Sequence, residues 1–252
     1  MKSLTIENYN GEYNPSWLAW KSVSSGPSAC FQPINLVELK LLRCENLLIE
    51  NCPNLVSIPS IDGSSSLLSL RLDGCEGLTS LPSGLLTCTS LEKLSIKNCT
   101  NLKSIPEDVG CLTRLKALRL GPFSEKLEEF PGLSSIHHLH SSLQKLKLVG
   151  WEKLSSLPDQ LQHFTALEKL NIQNFSGVKA LPEWLGNFSS LRKLEIRICE
   201  NLGQLPSKKA MQRLSNLQEL SFYGCPRLKE NSAERSKISH IPQIYFDYER
   251  VF

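Results

Sequence analysis

Ten side chains suited to gripping a partner recur at matched places along this chain. Lys93, Lys145, Lys169 and Lys193 share one place, Arg71, Arg119 and Lys147 the place two residues on, and Lys97, Arg197 and Tyr223 the place two further. Ammonium and guanidinium groups attract carboxylates at range and pair with them on contact, and tyrosine adds a flat, amphipathic anchor. This chemistry docks a partner and breaks no bond. Catalytic spacings are missing: there is no Gly-x-Ser-x-Gly elbow, no Cys-x-x-Cys and no His-Glu-x-x-His. His137, His138 and His140 cluster, but nothing supplies a fourth ligand or a rigid frame, so they read as a rim loop and not a metal site. No cofactor motif appears, and the dipeptide Gly-Lys of a phosphate-cradling P-loop never occurs.

The elements that position these side chains follow from a repeated block. Leu67, Leu70, Leu72, Cys75, Leu78, Leu81 and Pro82 return as Leu91, Leu94, Ile96, Cys99, Leu102, Ile105 and Pro106, and again from Leu191. Starts at Leu67, Leu91, Leu115, Leu143, Leu167, Leu191 and Leu217 give steps of 24, 24, 28, 24, 24 and 26 residues. This is the leucine-rich-repeat period, which specifies an α/β solenoid: a curved horseshoe with a parallel sheet inside and short helical turns outside. Alternation at Leu70 and Leu72 marks a short strand, with Ser69, Arg71 and Asp73 facing out. The chain must then turn in a tight space, where a small cysteine with a weak S–H donor fits: Cys75, Cys99, Cys199, Cys225 and, upstream, Cys44. Phe123, Trp151 and Phe175 stand near that place elsewhere and imply looser turns. A Leu-Pro step (Leu81-Pro82, Leu157-Pro158, Leu181-Pro182, Leu205-Pro206) ends strand pairing and opens the convex return.

The chain of 252 residues is read as one extended domain of about nine repeats. Residues 1–35 hold a degenerate first repeat, with Leu4 and Ile6 on a strand and a Ser/Gly/Pro-rich loop from Lys21 to Asn35. Residues 36–228 carry the array, beginning at Leu36, Leu39, Leu41 and Cys44 and running into a second strand ending at Asn51-Cys52, so that one unit has lost its convex half. The segment from Gly121 to Ser141 is four residues longer than the norm and is expected to bulge from the rim. Residues 229–252 drop the leucine pattern and have the composition of a C-terminal cap, ending in Ile244, Phe246, Tyr248 and Phe252. A net charge of +3 is nearly balanced, no apolar run reaches a membrane span, and residues 1–25 lack a signal peptide's order. Nine cysteines, most at a packing position, favour a reducing compartment without disulfides. Glycosylation sequons at Asn98, Asn174 and Asn187 carry little weight beside the buried Cys99.

The frame Leu-x-x-Leu-x-Ile-x-x-Cys-x-x-Leu-x-x-Leu-Pro resembles the repeats of plant intracellular nucleotide-binding leucine-rich-repeat immune receptors of the coiled-coil type. The phrases that carry the resemblance are Leu91-Glu92-Lys93-Leu94-Ser95-Ile96-Lys97-Asn98-Cys99, Cys225-Pro226-Arg227-Leu228-Lys229 and Ser236-Lys237-Ile238-Ser239-His240-Ile241-Pro242. The resemblance implies a cytoplasmic or nuclear recognition domain. It would sense a pathogen effector, directly or through a guarded host protein, and restrain a nucleotide-binding domain. This chain encodes no such domain, so it is expected to be part of a larger receptor or a free-standing remnant, scaffold or decoy. The rival from another class is a ubiquitin-ligase substrate adaptor, which would need an F-box bundle. Nucleic acid is disfavoured, because aromatics are not interleaved with the basic residues. On strands about 4.8 Å apart those residues form a stripe relieved by Glu92, Glu168 and Glu195, and the expected partner is an acidic protein surface. The bland alternative is a solvated lysine face that keeps the protein soluble.

Overall fold

The computed structural model describes residues 3–7, 44–131 and 133–251. Ten short strands lie side by side in one parallel sheet: β1 Ser3–Glu7, β2 Asn46–Glu50, β3 Ser69–Asp73, β4 Lys93–Lys97, β5 Ala117–Leu120, β6 Lys145–Val149, β7 Lys169–Gln173, β8 Lys193–Arg197, β9 Glu219–Tyr223 and β10 Gln243–Phe246. An eleventh, β11 Glu249–Arg250, folds back antiparallel on β10. Sequence order is sheet order throughout, as a solenoid of the leucine-rich-repeat type requires. Pairing is residue for residue, so Leu70, Leu94, Leu118, Leu146, Leu170, Leu194 and Leu220 form one inward row. Leu72, Ile96, Leu120, Leu148, Ile172, Ile196 and Phe222 form the next, and both rows are buried. No single block could hide its leucines, but stacked blocks hide one another's in a continuous core.

Convex returns begin as the prolines require. Pro106, Pro158 and Pro182 each stand immediately before a 3-10 turn, at residues 107–111, 159–163 and 183–187. After Pro206, Ser207 caps helix α1 (Lys208–Arg213) through its Oγ, which accepts from the Ala210 N–H. Among the described residues no helix is long and apolar enough to cross a membrane.

Cys75, Cys99, Cys199 and Cys225 sit at the strand exits as expected, and the reason is visible. The thiols of Cys52, Cys99 and Cys199 each donate to the carbonyl two residues back, at 3.2, 3.4 and 3.4 Å, while Cys75 and Cys225 also reach across to the carbonyls of Ile49 and Ile196 in the preceding strand. The eight described cysteines are free thiols, seven of them buried.

Four expectations need correction. Cys44 is not a turn cysteine. β2 pairs with β3 at an offset of 23 residues (Asn46 with Ser69), which places Cys44 opposite Leu67 and gives the turn to Cys52. β1 pairs directly with β2, so the described sheet has no strand between them, and the block expected at Leu36–Leu41 lies outside the described residues. The loop expected from Lys21 to Asn35 and Phe252 lie outside them too.

The segment from 121 to 141 is no loose rim loop, nor are the aromatic turns loose. Phe130 stacks on Trp151 and Phe175 at 5.6 and 6.1 Å and meets Phe123 edge-on at 5.5 Å. Trp151 donates its indole N–H to the Leu127 carbonyl at 2.8 Å. A 3-10 stretch, Leu133–Ser141, then buries Leu133, Ile136 and Leu139. The extra residues cover ring volume where other repeats hold a cysteine.

The C-terminal segment is also more than a polar cover. After α2 (Pro226–Glu230) and α3 (Ser232–Arg235), Ile241, Ile244 and Phe246 repeat the frame of Leu217, Leu220 and Phe222 at a step of 24 and are buried. β10 is thus a tenth parallel strand, and only the β10–β11 hairpin departs from the pattern. Asp73 is the fourth case: it faces outward but is almost fully buried by the cations it binds.

Candidate functional site

Strand alternation puts every second side chain on the concave face, and in-register pairing lines those side chains into rows. The first row reads Ser69, Lys93, Ala117, Lys145, Lys169, Lys193, Glu219, and the second Arg71, Ser95, Arg119, Lys147, Asn171, Glu195, Ser221. Seven of the ten expected residues, Arg71, Lys93, Arg119, Lys145, Lys147, Lys169 and Lys193, line one shallow groove of about 470 Å³. The other three belong to the outermost row. Lys97 lies toward one end, while Arg197 and Tyr223 line a second hollow of about 430 Å³.

The stripe is not uniform, because acids neutralise its two ends. At one end Arg71 meets Glu50 and Asp73, both at 3.3 Å, and Lys97 meets Asp73 at 2.9 Å. At the other, Lys193 bridges to Glu219 at 2.7 Å and lies 3.8 Å from Glu195, which also holds Arg197 and Asn171. Of the three acids expected to relieve the stripe, only Glu195 does so. Glu92 turns to Lys116 at 2.9 Å, and Glu168 offers only its backbone carbonyl, to the Arg192 and Lys193 N–H groups.

Between the neutralised ends stand Lys93, Arg119, Lys145, Lys147 and Lys169. None of the five has an acidic partner among the described residues. Lys145 faces Lys169 across one strand step, and Arg119 faces Lys147. Burial holds the Lys147 ammonium below the usual lysine range, with Arg119 beside it adding repulsion that the more distant Glu195 offsets only in part. Burial likewise lowers Arg119, whose Nε is enclosed without an acceptor. Desolvated, unpaired like charges are costly unless something brings counter-charge.

The outer hollow has a different character. The Arg197 guanidinium lies 4.2 Å from the centre of the Tyr223 ring, and the Tyr248 ring packs on that same ring at 4.5 Å between centres. Tyr248 was not among the expected partner-binding residues. Only its place near the end of the cap could have marked it, because the hairpin that carries it has no repeat signature. The two tryptophans Trp151 and Trp184 belong to the core and its margin. Trp151 is buried, and Trp184 packs edge-on against Phe188 with its N–H on Asp159 at 3.0 Å. The described residues bring no three metal-ligating side chains together.

The fold defines a leucine-rich-repeat solenoid, an architecture of protein–protein interaction domains. Residues 158–225 match the family model described as R13L1/DRL21 LRRs. Over 82% of this chain and 69% of the other, the fold is similar to the leucine-rich repeat domain of the type III effector XopL, at 25% identity and a TM-score of 0.63. Internalin C2 from Listeria monocytogenes aligns over 75% of this chain and 76% of its own, at 18% identity and a TM-score of 0.49.

Proposed function

We propose that this chain is the protein-sensing module of a plant intracellular immune receptor, and that the concave groove is where it grips an acidic partner. One observation carries the reading: five cations from Lys93 to Lys169 stand without an ion-pair partner among the described residues, between ends that are internally neutralised. A face meant only to stay wet would scatter its charges, whereas this one concentrates them in the centre of a groove, where steering and contact coincide. The partner is a protein with an acidic segment, either a pathogen effector or a guarded host protein. In the resting receptor the same surface would lie against a nucleotide-binding domain carried elsewhere. The match to R13L1/DRL21 LRRs and the cysteine-turn repeat favour this setting.

The test is interaction capture in plant tissue with the wild-type chain and a Lys93→Glu/Lys145→Glu/Lys169→Glu variant, with folding checked by circular dichroism. Partners rich in acidic segments should be recovered by the wild type and lost by the folded variant. Equal recovery by both would overturn the assignment of the groove.

A further inference from the structure

We propose that the hollow formed by Arg197, Ile198, Tyr223 and Tyr248 is an anchor pocket that takes an aromatic side chain of the acidic partner. The inference rests on the reading of the central groove, with which the hollow shares Lys147 and Glu195 as a common wall.

Two features of the hollow are not explained by core packing. At the strand exits the left-handed backbone falls on Asn51, Gly74, Asn98, Gly121, Asn174 and Gly224, residues that tolerate it. At the exit of β8 it falls on Ile198, at φ 52°, a β-branched residue for which that region is a true outlier. Its side chain is 43% exposed, so no core packing offsets the strain. Across the hollow, Asp247 and Tyr248 form the two-residue turn of the β10–β11 hairpin, both at positive φ, where Asn-Gly would be the relaxed choice. Asp247 justifies its place by accepting from the Gly224 N–H at 2.8 Å and pairing with Lys229 at 3.0 Å. Tyr248 rests on the Tyr223 ring and beside Arg197, but it closes no core: the cap is closed by Ile244 and Phe246, and Tyr248 is 74% exposed. Strained, exposed apolar residues that converge on one hollow are the mark of a contact site.

The spacing also fits. Lys169 on β7 and Tyr223 on β9 are separated by two strand steps of about 4.8 Å across the sheet and by four residues, about 13 Å, along it, so about 16 Å lies between them, the reach of roughly five extended residues. The partner would therefore present an acidic run with an aromatic residue about five positions beyond it.

Three synthetic peptides test this against the full chain by NMR titration: five alternating Asp and Glu residues alone, the same run followed by Gly-Ser-Gly-Ser-Trp, and the run followed by Gly-Ser-Gly-Ser-Ala. The tryptophan peptide should bind about five-fold more tightly than the alanine one. The gain should vanish in Tyr248→Ala and in Ile198→Asn, while affinity for the plain acidic peptide stays unchanged. Ile198→Asn should also raise the melting temperature, which separates loss of contact from loss of fold. If tryptophan adds nothing, or its gain survives both variants, the anchor pocket falls and the charged groove stands. If no peptide binds, both fall.

Discussion

Ile198 holds a backbone conformation that its own repeat family fills with Asn or Gly, so its replacement has a definite sign. Releasing a β-branched residue from the left-handed region relieves about 1 kcal/mol, and Ile198→Gly should raise the urea midpoint accordingly. At Asp247 the sign depends on pH. The Gly224 N–H, and then Lys229, hold the carboxyl below its ordinary value. A depressed carboxylate contributes stability above its unfolded pKa, near 4, and loses it as pH falls through the lower folded value. The Gly224 amide signal should therefore shift during acid titration at a pH below 4, and Asp247→Asn should remove that dependence. The thiols divide just as plainly. Burial pushes Cys88 up to about 11. The Cys52 thiol lowers Cys75, but the Cys99 thiol and burial outweigh it and push Cys75 up to about 12. Both should resist iodoacetamide at neutral pH until the chain unfolds, whereas the exposed Cys111 labels in the native state.

At the scale of the element, what was legible in the sequence and what was not divide along physical lines. The period fixed strand, turn and convex return from Leu67 onward, because a frame repeated seven times admits one alignment. It failed near Cys44, where two frames eight residues apart both fit: Leu36, Leu39, Leu41, Cys44 against Cys44, Leu47, Ile49, Cys52. Only pairing with β3 decides between them. The tenth strand is legible only by spacing, since Ile241, Ile244 and Phe246 keep the frame without a leucine. The basic rows could be read from alternation. Their neutralisation could not, because Glu50 and Glu219 reach Arg71 and Lys193 across strands from more than twenty residues away. The aromatic cluster was hidden for the same reason: Phe130 meets rings from three repeats. Phe130→Ala should cost roughly 2–3 kcal/mol, less than a fully buried ring, measurable by denaturant unfolding.

Over the whole molecule, stability and binding answer to different layers. Leu146 belongs to the buried row beneath Lys145 and Lys147, and Leu146→Ala should cost roughly 2–5 kcal/mol by opening a cavity between neighbouring blocks. Lys145→Glu, one residue away on the other face, should leave unfolding within about 0.5 kcal/mol of wild type while weakening an acidic ligand. That weakening should shrink as salt rises, because the five central cations act largely through unscreened charge.

Residue-for-residue pairing makes the sheet a ruler with removable divisions. Excising residues 169–192 would set Lys193 directly beside Lys145 with every inward leucine still matched, so the shortened chain should fold. It would also carry the tyrosine pair one division, about 4.8 Å, closer to the lysines that remain. A ligand gripped at both points would then prefer a tether one or two residues shorter. Lineages that gain or lose whole blocks could thus retune the length of what they measure without redesigning a single contact.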